Sequence, residues 1–202
     1  MPTAEGRRRA AWGTLTRQHV VDAAERRIRA GELETLSIRS LASDLGVAPM
    51  SIYNHVRDKD DLLEEVVDRL LEACWEPTAT PTDWVAWVRE AAERLRELLI
   101  TEPAALHVYL AHPVTTPNAV TRMETTLQVL SAGGFSPEAA ERAYAAVHTY
   151  TIGFAALESS RAKTPEEPNG TPLAAKLARF TTAAQFREGL GYLLAGLQPR
   201  VP

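Results

Sequence analysis

The chain has 202 residues, 45% of them hydrophobic, with a net charge of −4; that length suits one large domain or a small and a medium one, and that composition supports a sizeable core and excludes disorder as the dominant state. A single cysteine, Cys74, excludes an intramolecular disulfide and a Cys/His zinc set; no N-terminal apolar run follows Arg7-Arg8-Arg9, and no stretch reaches the eighteen or so apolar residues of a membrane helix, so a cytosolic protein with no membrane association is expected. The charge is uneven, since residues 1–59 carry ten Lys/Arg against seven Asp/Glu (+3) and residues 60–202 carry twelve against nineteen (−7), the pattern of a basic head that meets phosphates on an acidic body that does not.

Met1 to Leu15 has little periodicity and reads as a flexible basic arm able to touch DNA phosphates or the minor groove. A first helix, about Thr16 to Ala30, carries Val20, Ala24 and Ile28 on one stripe and ends at Gly31. Ser37 is a good N-cap for a short helix whose Ile38, Leu41, Ala42 and Leu45 follow the spacing of one buried face. Gly46 suits the exit from that helix, Val47 offers an apolar plug, and Pro49 opens a second short helix predicted to reach His55. Ile52 and Val56 are its buried positions. Met50, Ser51, Tyr53, Asn54 and His55 are left for something other than the core, and hydroxyl, amide, phenol and imidazole on one short exposed helix look like a reading head for DNA.

A connecting helix over residues 60–75 has the apolar pairs Leu62-Leu63, Val66-Val67 and Leu70-Leu71, and Pro77 and Pro81 then mark a boundary, giving an arm at 1–15, a helix-turn-helix head at 16–59, the connector, and a second domain at 76–202. In the second domain a helix bearing Trp84, Val88, Leu95 and Leu99 ends before Pro103, a short apolar segment covers Ala104 to Ala111, and a helix covers Thr116 to Ala132. After Gly133-Gly134 a long helix capped by Ser136 runs to about Arg161. Lys163 to Thr171 is a polar loop, and a last helical stretch covers Leu173 to Gln198. No strand pattern occurs, so the fold class is all-α.

The run from Ser37 through Gly46-Val47 and Tyr53-Asn54-His55-Val56 to Lys59-Asp60-Asp61-Leu62-Leu63 resembles the head of TetR-family transcriptional regulators, and Met123 to Glu158, with GGFSPEAA as its anchor, is similar to the body of the tetracycline-repressor branch. The resemblance spans the whole chain and implies a bacterial cytoplasmic all-α homodimer. Its N-terminal three-helix DNA-binding heads would reach successive major grooves of a palindromic double-stranded operator, and its helical ligand-binding and dimerisation domain would take a small effector that lowers DNA affinity. Carried onto this chain, it implies that Ser37 and Arg39 meet phosphate and groove edge, that Pro49, Met50 and Ser51 face bases, that Tyr53, His55 and Lys59 hold phosphates, and that Asn54 reaches a base or the backbone. Arg39 is the candidate reader of guanine, because its planar fork matches O6 and N7.

Candidate effector-binding residues are Trp84, Trp87, Tyr109, Met123, Leu127, Tyr144 and His148, with Arg122 and Thr126 as polar handles. A histidine on a mostly apolar helix, as His148 is, needs a partner, which is a ligand, Tyr144 or a residue of a second subunit. Where tetracycline repressors hold a drug-bound magnesium through a histidine, this chain reads HVYLAHP over residues 107–113, with Tyr109 or Leu110 at the metal position; an organic effector bound without metal or other cofactor is expected. Phe180, Phe186, Leu190, Leu193, Leu194 and Leu197, interleaved with Gly189, Gly191, Ala195 and Gly196, form a face for a four-helix dimer interface or for an intramolecular core. No GxSxG, Walker loop or HExxH occurs, and an enzyme is not expected. Two rivals share these features: a helical interaction module whose helix-turn-helix does not bind DNA, and a DNA-binding regulator without an effector.

Overall fold

A computed structural model describes residues 15–74, 82–111, 113–163 and 178–197. The expected basic arm, the Pro77–Pro81 boundary, Trp75, His112, most of the polar loop, and the predicted start and last residue of the final helix lie outside the described residues. The chain divides into two compact units, Met1–Val67 and Asp68–Pro202.

The first described helix of the first unit is α1 (Arg17–Arg29), capped by the Thr16 side chain, which accepts the His19 N–H at 3.2 Å. Val20, Val21, Ala24 and Ile28 are its buried stripe. α2 (Ile38–Leu45) starts from a reciprocal cap: the Ser37 hydroxyl accepts from the Ser40 N–H, and the Ser40 hydroxyl accepts from the Ser37 N–H. It ends at Gly46, whose φ of 66° lets the Val47 N–H return to the Ala42 carbonyl at 3.0 Å. Any residue with a Cβ is strained there, although the space around it is open. Arg27 pairs with Glu32 and Asp44, tying the end of α1 to α2.

α3 spans Pro49–Tyr53, two residues shorter than predicted. Past Tyr53 the His55 N–H bonds the Ile52 carbonyl, three residues back, so the helix tightens into a turn that leads directly into the next element. Ile52 and Val56 are buried, as the pattern required. α4 (Lys59–Cys74) is capped by Asp58, which accepts the Asp61 N–H at 2.8 Å, and Asp60 and Asp61 sit in its first turn, where the helix dipole favours acids. Leu62, Leu63, Val66, Val67 and Leu71 are its buried positions.

Among its described residues the second unit holds the C-terminal end of α4 and five further helices, α5 (Trp84–Thr101), α6 (Pro103–Ala111), α7 (Pro117–Ala132), α8 (Pro137–Lys163) and α9 (Ala183–Gly196), with a 3-10 turn at Ala178–Thr181. α5 is the central strut and touches α6, α7, α8 and α9. Trp87, Val88, Val129, Leu130, Phe135, Val147, Phe154, Phe186 and Leu190 share one core. Asn118 at the start of α7 donates its backbone N–H to the Asp68 carboxylate at 2.8 Å and its side-chain amide to the other carboxylate oxygen at 2.9 Å.

One charged pair is built into this unit. Arg96 on α5 is 7% exposed and its guanidinium meets the Glu158 carboxylate on α8 through two parallel bonds while lying over the Phe186 ring at 5.4 Å. Among the described residues no strand occurs, and no helix is long and apolar enough to cross a membrane.

Candidate nucleic-acid interface and effector cavity

In the head, helix polarity and capping decide what is left exposed. With Ile52 turned into the core, the five-residue α3 leaves Met50 72% and Tyr53 49% exposed one turn apart, and Pro49 and Asn54 are exposed beside them. Ser51 and His55 are half-buried. Arg39, in the first turn of α2, is exposed and makes no hydrogen bond or ion pair with another described residue, so its five N–H donors are available.

Two of the predicted contact residues also have structural duties. The Ser37 hydroxyl is committed to its cap. The Lys59 ammonium donates to the Leu33 carbonyl at 3.2 Å, pinning the α1–α2 connection to the start of α4, with two further N–H groups remaining. Sequence reasoning missed Arg17. Its guanidinium donates to the His55 carbonyl at 2.6 Å and to Glu65 at 2.9 Å and lies 3.6 Å from Asp61, so the end of α3 is held by α1 and α4 together. Arg57 adds its own N–H and guanidinium to Asp61. Burial pushes the Asp61 carboxyl up, but these bonds and the two arginine charges outweigh it and hold it below the ordinary carboxylate range.

In the second unit a cavity of about 140 Å³ opens among α5, α6, α7 and α8. Six of the nine predicted effector residues line it: Tyr109, Arg122, Met123, Thr126, Tyr144 and His148. The other three do not. Trp87 is fully buried in the core, Trp84 packs edge-on against Phe135 at 5.0 Å and closely over Gly133, and Leu127 packs against the same core. Each is an apolar residue at helical spacing whose stripe faces the helix bundle rather than the void. Val88, Leu95, Val147 and Thr151 line the cavity without having been predicted; Val88 and Leu95 belong to the α5 stripe that the periodicity identified as buried, and periodicity does not tell a void from a packed neighbour.

The polar atoms of the wall are specific. Arg122 is 8% exposed. Thr126 and Thr151 are buried, and each hydroxyl donates to the carbonyl four residues back in its own helix, at 2.7 and 2.8 Å. The His148 ring stacks on Tyr144 at 5.1 Å with 18° between planes and lies 5.8 Å from Tyr109. It makes no hydrogen bond with a described residue. Burial, reinforced by the Arg122 charge, pushes its pKa below the ordinary histidine value, so the ring is neutral at pH 7. Burial raises Tyr144, partly offset by the same arginine. Among the described residues no three His, Cys, Asp or Glu side chains come together as metal ligands.

The predicted apolar face of the last helix divides. Phe186, Leu190 and Leu194 are buried in the core of the second unit, because α9 lays that side against α5 and α8. Phe180, Tyr192, Ala195 and Gly196 are exposed, and Leu193 and Leu197 are half-buried.

Residues 76–201 match the family model described as the tetracyclin repressor-like C-terminal domain, and the chain belongs to that family. It is 32% identical over 145 residues to an HTH-type transcriptional regulator of Saccharopolyspora erythraea, covering 72% of this chain and 61% of the relative. It is also 32% identical over 147 residues to the HTH-type transcriptional repressor DrrR1 of Streptomyces coeruleorubidus, covering 70% and 53%. The chain thus spans little more than half the length of these curated relatives. Among solved structures, apo ActR of Streptomyces coelicolor superposes with a TM-score of 0.77 at 27% identity, covering 91% of this chain and 94% of that one; ActR in complex with actinorhodin gives 0.76 at 26%, covering 91% and 97%.

Proposed function

We propose that the chain is a DNA-binding transcriptional repressor that acts as a homodimer on a palindromic operator and is released by a small organic effector held in the cavity of its second unit. The observation that carries this reading is the division of labour within one chain. One unit presents Arg39, Met50 and Tyr53 on a helix-turn-helix, and the other encloses a cavity with a buried arginine and an unbonded histidine in its wall. Curated relatives described as repressors, and a relative in complex with an organic molecule, support both halves.

Dimerisation is supported by what α8 and α9 leave uncovered. On α8 Ala145, Thr149, Gly153 and Leu157 are exposed and Ile152 is half-buried; on α9 Tyr192, Ala195 and Gly196 are exposed. An exposed stripe of small and apolar residues on two helices is what a second copy would cover. The chain would act in the bacterial cytoplasm and catalyse nothing. On DNA, Pro49, Met50 and Ser51 would meet bases, Arg39 a guanine, and Ser37, Tyr53, Asn54, His55 and Lys59 chiefly the backbone.

The test is selection of bound sequences from a random duplex library, followed by affinity measurement across salt. A palindromic consensus is expected, with affinity falling about 10³-fold or more between 50 and 200 mM salt if six or more phosphates are contacted. An Arg39→Ala variant should lose base preference at one position per half-site. Salt-independent binding, or no enriched sequence, would return the head to a protein-docking role.

A further inference from the structure

We propose that the effector is a hydroxylated aromatic of one or two rings, a phenol or a naphthol, whose hydroxyl donates its proton to the polar edge formed by Thr126, His148 and Thr151 and whose ring lies along the stacked rings of Tyr144 and His148. This deepens the reading of the cavity as the effector site and rests on it.

Tyr144, His148 and Thr151 follow one another at i, i+4 and i+7 along α8, so they share one face, and Thr126 on α7 lines the same cavity. The hydrogen-bonding capacity left on these four residues is lopsided. Thr126 and Thr151 are buried, and each hydroxyl has committed its proton to the carbonyl four residues back, so each oxygen has only lone pairs to offer. His148 is neutral, because burial and the nearby Arg122 charge oppose its protonation, and a neutral imidazole has one N–H and one bare nitrogen. The Tyr144 hydroxyl is both a donor and an acceptor. Among the described residues neither the His148 ring nor the Tyr144 hydroxyl makes a hydrogen bond. The acceptors are therefore on Thr126, Thr151, His148 and Tyr144, and the donors on His148 and Tyr144 alone. Arg122 and Tyr109 stand outside that count, since each already has an interaction within the protein.

An acceptor-rich wall selects a donor. Water in the cavity would supply protons to these lone pairs, and a ligand that displaces it must bring protons of its own or leave buried acceptors unmatched. A ring hydroxyl brings one and can still accept from His148. An ether, ester or ketone accepts only and leaves the threonine oxygens bare. An ammonium donates, but the burial and the arginine charge that keep His148 uncharged act against it as well.

The remaining wall fixes the body of the ligand. His148 and Tyr144 stack at 5.1 Å with 18° between planes, a flat surface suited to offset packing of a further ring. Val88 and Leu95 of α5 complete an apolar surround in which a sugar or peptide would leave most of its polar groups unpaired. A void of about 140 Å³ is close to that of an engineered protein cavity, about 150 Å³, that holds benzene, which limits the ring count.

The experiment uses the full chain and two isomeric probes of equal heavy-atom count, 4-ethylphenol, which donates, and 4-methylanisole, which only accepts. In calorimetric titrations the wild type should bind the phenol about fivefold or more tightly than the ether, the margin of one neutral hydrogen bond. His148→Phe, which keeps a flat ring, and Thr126→Val with Thr151→Val, which keep the shape of the threonines, should each narrow that preference, and the three substitutions together should erase it. Equal or tighter binding of the ether, failure of the wild type to bind either probe at millimolar concentration, or a preference that survives in the folded triple variant would each overturn the proposal. Where a variant does not fold, the comparison of the two probes on the wild type decides alone. Operator binding measured on the same preparation separates the two readings. If compounds without a donor release the DNA and the phenol does not, the ligand class falls and the repressor stands. If the phenol binds through these residues but no duplex is bound, the repressor reading falls and the ligand class stands.

Discussion

The guanidinium of Arg17 donates to the main-chain oxygen of His55 at 2.6 Å, so the first helix of the head holds the last turn of the third. α3 has five residues, too few to be stable by its own hydrogen bonds, and its orientation is set by what grips its ends. At the start that is Pro49, at the middle the buried Ile52, and at the end Arg17.

Arg17→Ala is therefore expected to weaken operator binding for every sequence alike, by about tenfold if one charged hydrogen bond of about 1.5 kcal/mol is what keeps the helix seated. Stability of the head should fall by a smaller amount, since the Arg17 side chain is 45% exposed and its ion pairs are partly solvated. Fluorescence anisotropy with operator and non-operator duplexes checks the first expectation, and thermal melts the second.

Asp61 gives the same region an acid limit. Its folded pKa is lowered, so its contribution to stability is fully present above the ordinary aspartate value of about 4 and is lost as pH falls through the lowered folded value. Thermal melts of the wild type and Asp61→Asn should differ at pH 7 and draw together as pH falls from about 4 through the lowered folded value. A difference that stayed constant down to pH 3 would mean that the carboxylate is not the group responsible.

Much of the head was legible because its instructions are local. Ser37, Gly46 and Pro49 act within one turn of themselves, and the spacing of Ile38, Leu41, Ala42 and Ile52 needs no knowledge of the partner surface. What escaped was non-local: Arg17 meets His55 and Glu65 across 38 and 48 residues, and nothing in a helical wheel announces that. In the second unit the periodicities of α5, α7, α8 and α9 were readable, but apolar stripes are alike whether they face a void, a core or a second copy. Trp84, Trp87 and Leu127 were consequently expected at the cavity, whereas for Phe186, Leu190 and Leu194 the pattern left a dimer interface and an intramolecular core open, and the core is where they lie. The polar members fared better: Arg122, Thr126 and His148 interrupt apolar faces, where a polar group must have a reason. Arg96 carried that same signal, next to Leu95 and Leu99 on the α5 stripe, and was passed over.

Gly189 on α9 lies directly against the Tyr150 side chain of α8. An alanine Cβ there would collide with the Tyr150 hydroxyl and come within 3.1 Å of its Cζ, and that ring cannot swing away freely, because it stacks on Phe186 at 5.4 Å and its hydroxyl donates to the Phe186 carbonyl. Gly189→Ala should cost about 1–3 kcal/mol of overpacking, reduced by up to about 1 kcal/mol of helix propensity. In a Tyr150→Phe background the same substitution should approach neutrality, since the colliding oxygen is gone. Equal costs in the two backgrounds, measured by urea denaturation, would show that the clash is absorbed elsewhere.

The Arg96–Glu158 pair makes the last expectation, and its sign depends on which partner is removed. Arg96 is inside the unit, its guanidinium over Phe186, so Glu158→Ala leaves a buried charge whose one other acidic neighbour among the described residues is the exposed Glu97, 3.9 Å away. Breaking a buried pair from one side costs about 3 kcal/mol, toward the low end of the usual range because Glu158 is 21% exposed and water can reach the vacated place. A drop in melting temperature of roughly 10 °C follows for a domain of this size. Removing both charges at once, as Arg96→Met with Glu158→Leu, takes away the desolvation penalty along with the attraction and should restore most of the loss. A double variant as unstable as Glu158→Ala alone would mean that the pair contributes through shape, by filling the space beside Phe186, rather than through charge.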